Sequence, residues 1–353
     1  MQPKTVFRIL IIFLTAIAIF ISAVFLIGYV VSAPVYKGEA LAHFDGKQFK
    51  NSSGIEAKGF GDVFKFLLNR QREPWAKNMD LAIGPAPESN PDPDKIKITF
   101  VNHSTFLIQY KGLNILTDPV WSQRTSPFQF AGPERMRPPG IKFEDLPKID
   151  LIIISHNHYD HLDANTMKKL AVKFNPKVIS PLGVSAFIKK LGFDNTIDLD
   201  WWEMSVFQDL KITAVPAQHF SGRGMFDRNA TLWAGYVIHS ADKKIYFAGD
   251  SGYDKNIFIE IGRHFDSMDV SMIPIGAYKP RWFMSAIHVD PKEALLIHKD
   301  VNSKKSIAMH FGTFPLADDG QNDPIKELNE ELSESNIEKE NFIIPKEGEG
   351  KYY

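Results

Sequence analysis

The chain has 353 residues, 44% of them hydrophobic and 24% charged, which excludes a disordered segment and suits one large domain with appendages. A formal net charge of −1 excludes a global positive field of the kind that draws in nucleic acid, so nucleic acid is not an expected partner. The absence of cysteine excludes disulfides and thiolate sites, so any metal must be held by histidines and carboxylates.

From Ile9 to Val31 the sequence carries no charge, and Lys4 and Arg8 precede it. A run of roughly 20 apolar residues spans a bilayer core, whereas the apolar part of a secretory signal is shorter, about 7–15 residues. Residues 1–33 therefore read as an uncleaved transmembrane anchor. Val31-Ser32-Ala33 offers a small-residue cleavage site with Pro34 as a poor neighbour, which leaves a cleaved signal as the alternative. Basic residues ahead of the span keep the N-terminus inside and the rest of the chain on the extracytoplasmic side, the periplasmic face of the inner membrane in a bacterium.

Residues 34–94 read as an extension and linker. Within them Asp62–Arg72 has Val63, Phe64, Leu67 and Leu68 at helical spacing, with Lys65, Arg70 and Arg72 as a basic flank. Such a helix packs on the main domain or lies against anionic headgroups. The Pro-rich run from Gly84 to Asp94 reads as a loop.

Residues 95–353 change to short apolar runs between polar turns. Strands are expected over 95–101, 105–110, 113–117, 149–155, 210–215, 232–239, 244–248, 270–275 and 305–309, with Lys111-Gly112 as a hairpin turn. Helical patterns fall over 164–174, 184–191, 257–265, 291–299 and 324–333. Strands grouped with interspersed helices imply a layered α/β protein.

The run Ile149–Ser155 is too apolar for a strand with one wet face. It leads directly into His156-Asn157-His158-Tyr159-Asp160-His161. Alternate residues of an extended segment point to one side, so His156 and His158 can grip one ion, while the turn that follows swings Asp160 and His161 toward a second. Further donors also sit where strands end: His219, Asp250 in Phe247-Ala-Gly-Asp-Ser-Gly252, and His310 in Ile307-Ala-Met-His-Phe-Gly312. Imidazole and carboxylate donors suit zinc or a similar first-row metal.

His-x-His-x-Asp-His, then a lone His, a Gly-Asp loop and a last His, resembles the metallo-β-lactamase superfamily. Thr117-Asp-Pro, Ile154–Asp163, Leu199-Asp-Trp-Trp-Glu203, Pro274–Met284, His288–Glu293 and His310–Phe314 are similar to the N-acyl-phosphatidylethanolamine-hydrolysing phospholipases D within it. The chain departs from that pattern at Phe220, Ser251 and the N-terminal span. The resemblance implies an αββα four-layer sandwich, here preceded by the transmembrane helix, and two Zn2+ ions. His156, His158 and His219 would bind the first ion, Asp160, His161 and His310 the second, and Asp250 would bridge them. It also implies a phospholipid substrate, cleaved to phosphatidic acid and N-acylethanolamine. Two such metals about 3.5–4 Å apart can share and acidify a water. Asp160, Asp250 and His288 are then the catalytic candidates, with His288 on the substrate side. A lactonase or other C–O or C–N hydrolase is the alternative that the same site allows.

Asp118 is expected to hydrogen-bond a ligand histidine, and His103 either to do the same or to be a core histidine. Lys279 and Arg281 read as phosphate contacts or as solvated cations. The sequence allows a homodimer without requiring one.

Overall fold

The structure, a computed structural model, describes residues 3–353; Met1 and Gln2 of the expected 1–33 anchor lie outside the described residues. Helix α1 (Pro3–Val31) is long and apolar enough to cross a membrane, and its side chains are almost all exposed. Its end is docked on the rest of the chain. The Ala33 amide donates to Asp227 Oδ2 at 2.7 Å, and the Phe226 amide donates to Ser32 Oγ at 3.2 Å. Helix α2 (Phe60–Leu68) stops short of Arg72. Asn69 closes it, with its amide bonded to the Lys65 and Phe66 carbonyls and its side chain donating to the Lys65 carbonyl. Beyond that cap, Arg70 turns to an ion pair with Asp318 at 2.9 Å.

The first sheet is built from β1 (Lys97–Asn102), β2 (Thr105–Tyr110), β3 (Leu113–Thr117), β4 (Leu151–Ile153), β5 (Lys177–Pro181) and β6 (Thr196–Leu199). The second contains β7 (Met204–Phe207), β8 (Leu210–Val215), β9 (Gly235–His239), β10 (Lys244–Phe247), β11 (Val270–Pro274), β12 (Ser306–Met309) and β13 (Phe342–Ile343). The chain then returns to the first sheet, where β14 (Gly350–Tyr352) pairs with β1. Each sheet therefore has seven strands, in the orders 14-1-2-3-4-5-6 and 13-12-11-10-9-8-7.

Both sheets follow one plan, three antiparallel pairings and then three parallel ones. Antiparallel neighbours need only short turns, such as Lys111-Gly112, where both residues have positive φ. Parallel neighbours need crossovers, most of them helical here. Helices α3 (Ala164–Lys173) and α4 (Ser185–Lys189) serve the first sheet; α5 (Lys255–Phe265), α6 (Arg281–Met284), α7 (Pro291–Asp300) and α8 (Asp323–Glu334) serve the second.

Period-two alternation distributes the strands' side chains between two cores. Ile108, Ile115, Leu151 and Ile153 point between the sheets toward Ile212, Tyr236 and Phe247. Their neighbours Leu107, Leu116, Ile152 and Ile154 face outward onto Met167, Leu170 and Ile188 of α3 and α4. That is why residues 149–155 lack polar alternation: both faces of β4 are covered. On the far side Ile257, Ile261, Leu295 and Leu328 carry α5, α7 and α8 on the second sheet. The result is the αββα sandwich.

Candidate metal centre

The C-terminal ends of β1, β3, β4, β8, β10 and β12 meet at one edge of the sandwich, and each is followed by a residue of the centre. His103 follows β1, Asp118 follows β3 and the run 156–161 follows β4; His219, Asp250 and His310 follow β8, β10 and β12. The turns are tight. His103, Asp118 and His310 all have positive φ (49°, 34° and 61°), a conformation that non-glycine residues keep only where the surroundings impose it. At Gly249 (φ 62°) a Cβ would stand 2.7 Å from the Ser155 Cβ, so only glycine lets Asp250 approach the residue preceding His156.

Three ring nitrogens face one another: His156 Nε2 lies 2.8 Å from His158 Nδ1, which lies 3.2 Å from His219 Nε2. Ligand nitrogens about 2.0–2.1 Å from a tetrahedral ion stand about 3.3 Å apart, so the trio is close to a coordination face. A second group gathers His103, Asp160, His161 and His310. Between the groups lies Asp250, whose Oδ2 is 3.1 Å from both His161 Nε2 and His310 Nε2 and 3.8 Å from His219 Nε2. His288 joins at the rim, Nδ1 3.9 Å from the same oxygen. The structure thus brings together all seven expected ligands and His288.

The donor set fits divalent cations. His161 Nε2, His310 Nε2 and Asp250 Oδ1 are buried with no hydrogen-bond partner, an arrangement that costs energy unless something binds them. Burial holds the protonation of His156 down, and takes His158 to about 3 and His219 to about 4, so these rings keep free lone pairs. At His310 burial opposes charge, but Asp250 and Asp160 outweigh it and raise the ring to about 9; Asp250, Asp160 and Asp118 raise His161 likewise. Burial also opposes ionisation of Asp160 and Asp250, yet the charge of His161 keeps both well below the usual carboxylate range. The buried carboxylates thus demand positive charge, and a divalent cation satisfies that demand without protonating a ligand.

An outer ring of bonds fixes the tautomers. His161 Nδ1 donates to Asp118 Oδ2 at 2.6 Å, and the same carboxylate takes the Ser155 amide and hydroxyl at 2.7 and 2.5 Å. Ser155 Oγ in turn lies 2.9 Å from His156 Nδ1. His219 Nδ1 donates to the Ile287 carbonyl at 2.8 Å, and His103 Nε2 donates to Asp160 Oδ2 at 2.9 Å. Asp118 and His103 therefore touch residues expected as ligands. Lys279 and Arg281 do not reach the centre: Lys279 pairs with Asp323 and Glu327, both at 2.8 Å, and Arg281 with Glu293 at 2.6 Å. Arg281 also donates to the His288 carbonyl at 2.8 Å and so steadies that rim.

Two contributors carry no sequence motif. Buried Asn51 clamps His219 by its backbone, with Oδ1 accepting from the His219 amide at 3.1 Å and Nδ2 donating to its carbonyl at 2.9 Å. Arg223 donates to the carbonyls of Asn157 and Leu162, both at 2.8 Å, and so brackets the ligand run. Alongside runs an apolar wall. Phe220 packs edge-on against His158 with ring centres 4.4 Å apart, and its cluster continues through Ile287, Met284 and Phe283 to Phe66 of α2, stacked on Phe283 at 4.6 Å.

Residues 113–311 match the family model described as the beta-lactamase superfamily domain. The chain is 42% identical over 229 residues to N-acyl-phosphatidylethanolamine-hydrolyzing phospholipase D 1 of Caenorhabditis elegans, covering 62% of this chain and 64% of the relative. It is 34% identical over 256 residues to the mitochondrial N-acyl-phosphatidylethanolamine-hydrolyzing phospholipase D of Saccharomyces cerevisiae, covering 71% and 54%. The chain thus spans less than two thirds of the length of these curated relatives. Among solved structures, a possible metal-dependent hydrolase from Veillonella parvula superposes with a TM-score of 0.60 at 18% identity, over 73% of this chain and 99% of that one, a likeness of fold.

Proposed function

The chain belongs to the metallo-β-lactamase superfamily, and from that premise we propose that it is a membrane-anchored, dinuclear zinc phosphodiesterase of phospholipase D type. Its substrate is N-acyl-phosphatidylethanolamine or a related phospholipid. The observation that carries the lipid reading is the apolar cluster from Phe220, against His158, to Phe66, which places hydrocarbon-like side chains beside the metal donors. The names of the relatives and the apolar helix α1 support it.

His156, His158 and His219 would hold one ion and Asp160, His161 and His310 the other, with Asp250 between them; nitrogen and oxygen donors without thiolate favour zinc. When bound, such a pair supplies Lewis acidity toward phosphate oxygens and brings the pKa of water toward neutrality. The chain's own residues do the rest. Asp118 and the Ile287 carbonyl hold the Nδ1 protons of His161 and His219, leaving Nε2 free toward the centre. Asp160 keeps its orientation through His103. His288, with an unpartnered Nδ1, a ring that burial keeps neutral and a backbone steadied by Arg281, hydrogen-bonds the phosphate or the departing oxygen. In the net reaction water oxygen bonds to phosphorus and the bond to the N-acylethanolamine oxygen breaks, leaving phosphatidic acid. Residues 1–33 hold the catalytic part, 95–353, on the extracytoplasmic face.

The test is a product assay of detergent-solubilised protein on N-acyl-phosphatidylethanolamine by mass spectrometry, with and without chelator. Chelator-sensitive phosphatidic acid and N-acylethanolamine are expected, and His158→Ala or Asp250→Asn should lower turnover by at least about a thousandfold while the fold survives. Full turnover in either variant would remove the site assignment. No turnover with metal bound would remove the substrate and turn attention to lactones.

A further inference from the structure

Helix α2 has two apolar faces, and only one of them is covered. Val63 and Phe66 pack inward against the Phe283 cluster, and Arg70 anchors the following turn at Asp318. About 100° round the helix, Phe64, Leu67 and Leu68 point outward with exposures of 60%, 56% and 69%. Three large apolar side chains held in water by an ordered helix are unfavourable unless something covers them.

The neighbouring elements indicate what does. The uncharged part of α1, residues 9–31, is about 35 Å long, a little more than the roughly 30 Å of a bilayer's hydrocarbon core. Its last turn therefore ends at the lipid interface. The last two turns are in contact with the loop after His219: Phe25 and Tyr29 pack against Phe226 with ring centres 6.1 and 6.5 Å apart, and Gly28 faces Met225. Met225 and Phe226 are themselves 49% and 50% exposed. The same loop holds the start of α2, because Arg228 donates to the carbonyls of Ala57 and Lys58 at 3.0 and 2.8 Å. No slack separates the membrane helix from this surface, since the Ala33 and Tyr36 amides are bonded to Asp227 and to the Ala230 carbonyl.

We propose that the outer face of α2, together with Met225 and Phe226, is seated in the surface of the same bilayer that α1 crosses, which fixes the metal centre at the level of the lipid headgroups. The inference rests on reading α1 as a membrane span. The seat is apolar rather than electrostatic: with Arg70 taken up by Asp318, Lys58, Lys65 and Arg72 are interleaved with Glu56, Asp62 and Glu73, three cations against three carboxylates. It therefore forms on zwitterionic as well as anionic lipid. The inner face of the same helix continues to Phe283 and Phe220, so the helix joins the membrane surface to the wall beside His158.

The lack of any cysteine makes the test direct, because a single introduced thiol is the only one to label. The full chain is reconstituted into phosphatidylcholine vesicles with a fluorophore on Leu67→Cys, Phe64→Cys or Phe226→Cys, and lipids carrying a nitroxide at known depth are added. Ile19→Cys reports on the span, and Ala241→Cys, in the exposed β9–β10 turn at the opposite edge of the sandwich, is the dry control. The proposal expects quenching at 64, 67 and 226 that is strongest for shallow nitroxides, at about 5–10 Å depth, deep quenching at 19 and none at 241. Unquenched labels at 64 and 67 overturn it, whatever Ile19 shows. A blue shift at 64 and 67 that follows protein concentration without nitroxide quenching also overturns it and assigns the face to a second copy of this chain. Quenching at 67 without quenching at 19 removes the span reading but leaves α2 as a membrane contact. As a functional counterpart, the Phe64→Ser, Leu67→Ser pair should raise KM for vesicle substrate about tenfold while leaving kcat on a monomeric short-chain substrate unchanged.

Discussion

Asn51 shows how much of the centre depends on a residue that touches no reacting group. Its side chain replaces a strand neighbour for the backbone of His219, and its Oδ1 also takes the indole N–H of Trp233 at 3.1 Å. Asn51→Ala removes these bonds and leaves buried backbone groups unpaired, at a cost of about 1–3 kcal/mol. The loss falls on the loop that aims His219, so we expect metal affinity, measured by competition with a fluorescent chelator, to drop about 10–100-fold. Unchanged affinity with a lowered melting temperature would reduce Asn51 to a packing role. Nothing in the sequence ties it to the centre: an Asn in a stretch punctuated by Gly54 and Gly59 has no period and belongs to no metal motif. The histidines and aspartates that the structure gathers at the centre were legible for the opposite reason. Each follows an apolar run that had to be a strand, and strand ends of one direction share an edge. What the residue pattern could not say is which ring nitrogen each histidine presents, because Ile287 and Asp118, far away in sequence, decide it.

At the level of elements, α7 meets β12 through a buried polar pair that makes stability depend on pH. His298 Nδ1 lies 2.8 Å from Ser306 Oγ, and burial, with a smaller contribution from Lys299, lowers the ring to about 4. The unfolded chain binds this proton near pH 6.5 and the folded chain only near 4. Stability from this contact is therefore complete above about 6.5 and is lost as pH falls toward 4, by on the order of 2–3 kcal/mol. Denaturant titrations of His298→Gln should show a flatter profile over that window than the parent; an identical slope would show that His298 is not the group responsible. The long strands and helices were legible from their periodicity, with most ends shifted by a residue or two, the start of β9 by three and the end of α2 by four. β5, β6, β7, β13 and β14 were not, for physical reasons. β5 ends on Pro181, β6 alternates weakly because its outer residues are half-buried, and β7 is a four-residue strand with Met204 and Val206 exposed. β13 and β14 have two and three residues and acquire strand character only by pairing with β12 and β1.

For the whole molecule, the centre is a fastener between the sheets. The run 156–161 hangs from the first sheet, while His219, Asp250 and His310 hang from the second. Bound ions therefore contribute to stability as well as to chemistry. At concentrations about a thousandfold above Kd they would add about 4 kcal/mol, so chelation should lower the melting temperature of the solubilised protein by about 5 °C, reversibly on adding metal. A melting temperature indifferent to metal content would contradict the assignment of ligands to both sheets. The return of the chain to β1 has a consequence in time. Residues 97–99 wait for residues 350–352, and His156 waits for His310, so the edge pairing and the donor set cannot be completed until residues 352 and 310, respectively, have emerged from the ribosome. On the proposed reading of α1 as a membrane span, that helix precedes them in the chain and has met its bilayer by then. On that reading metal loading would be a late event at the membrane, and the ions supplied there would set which metal the centre takes.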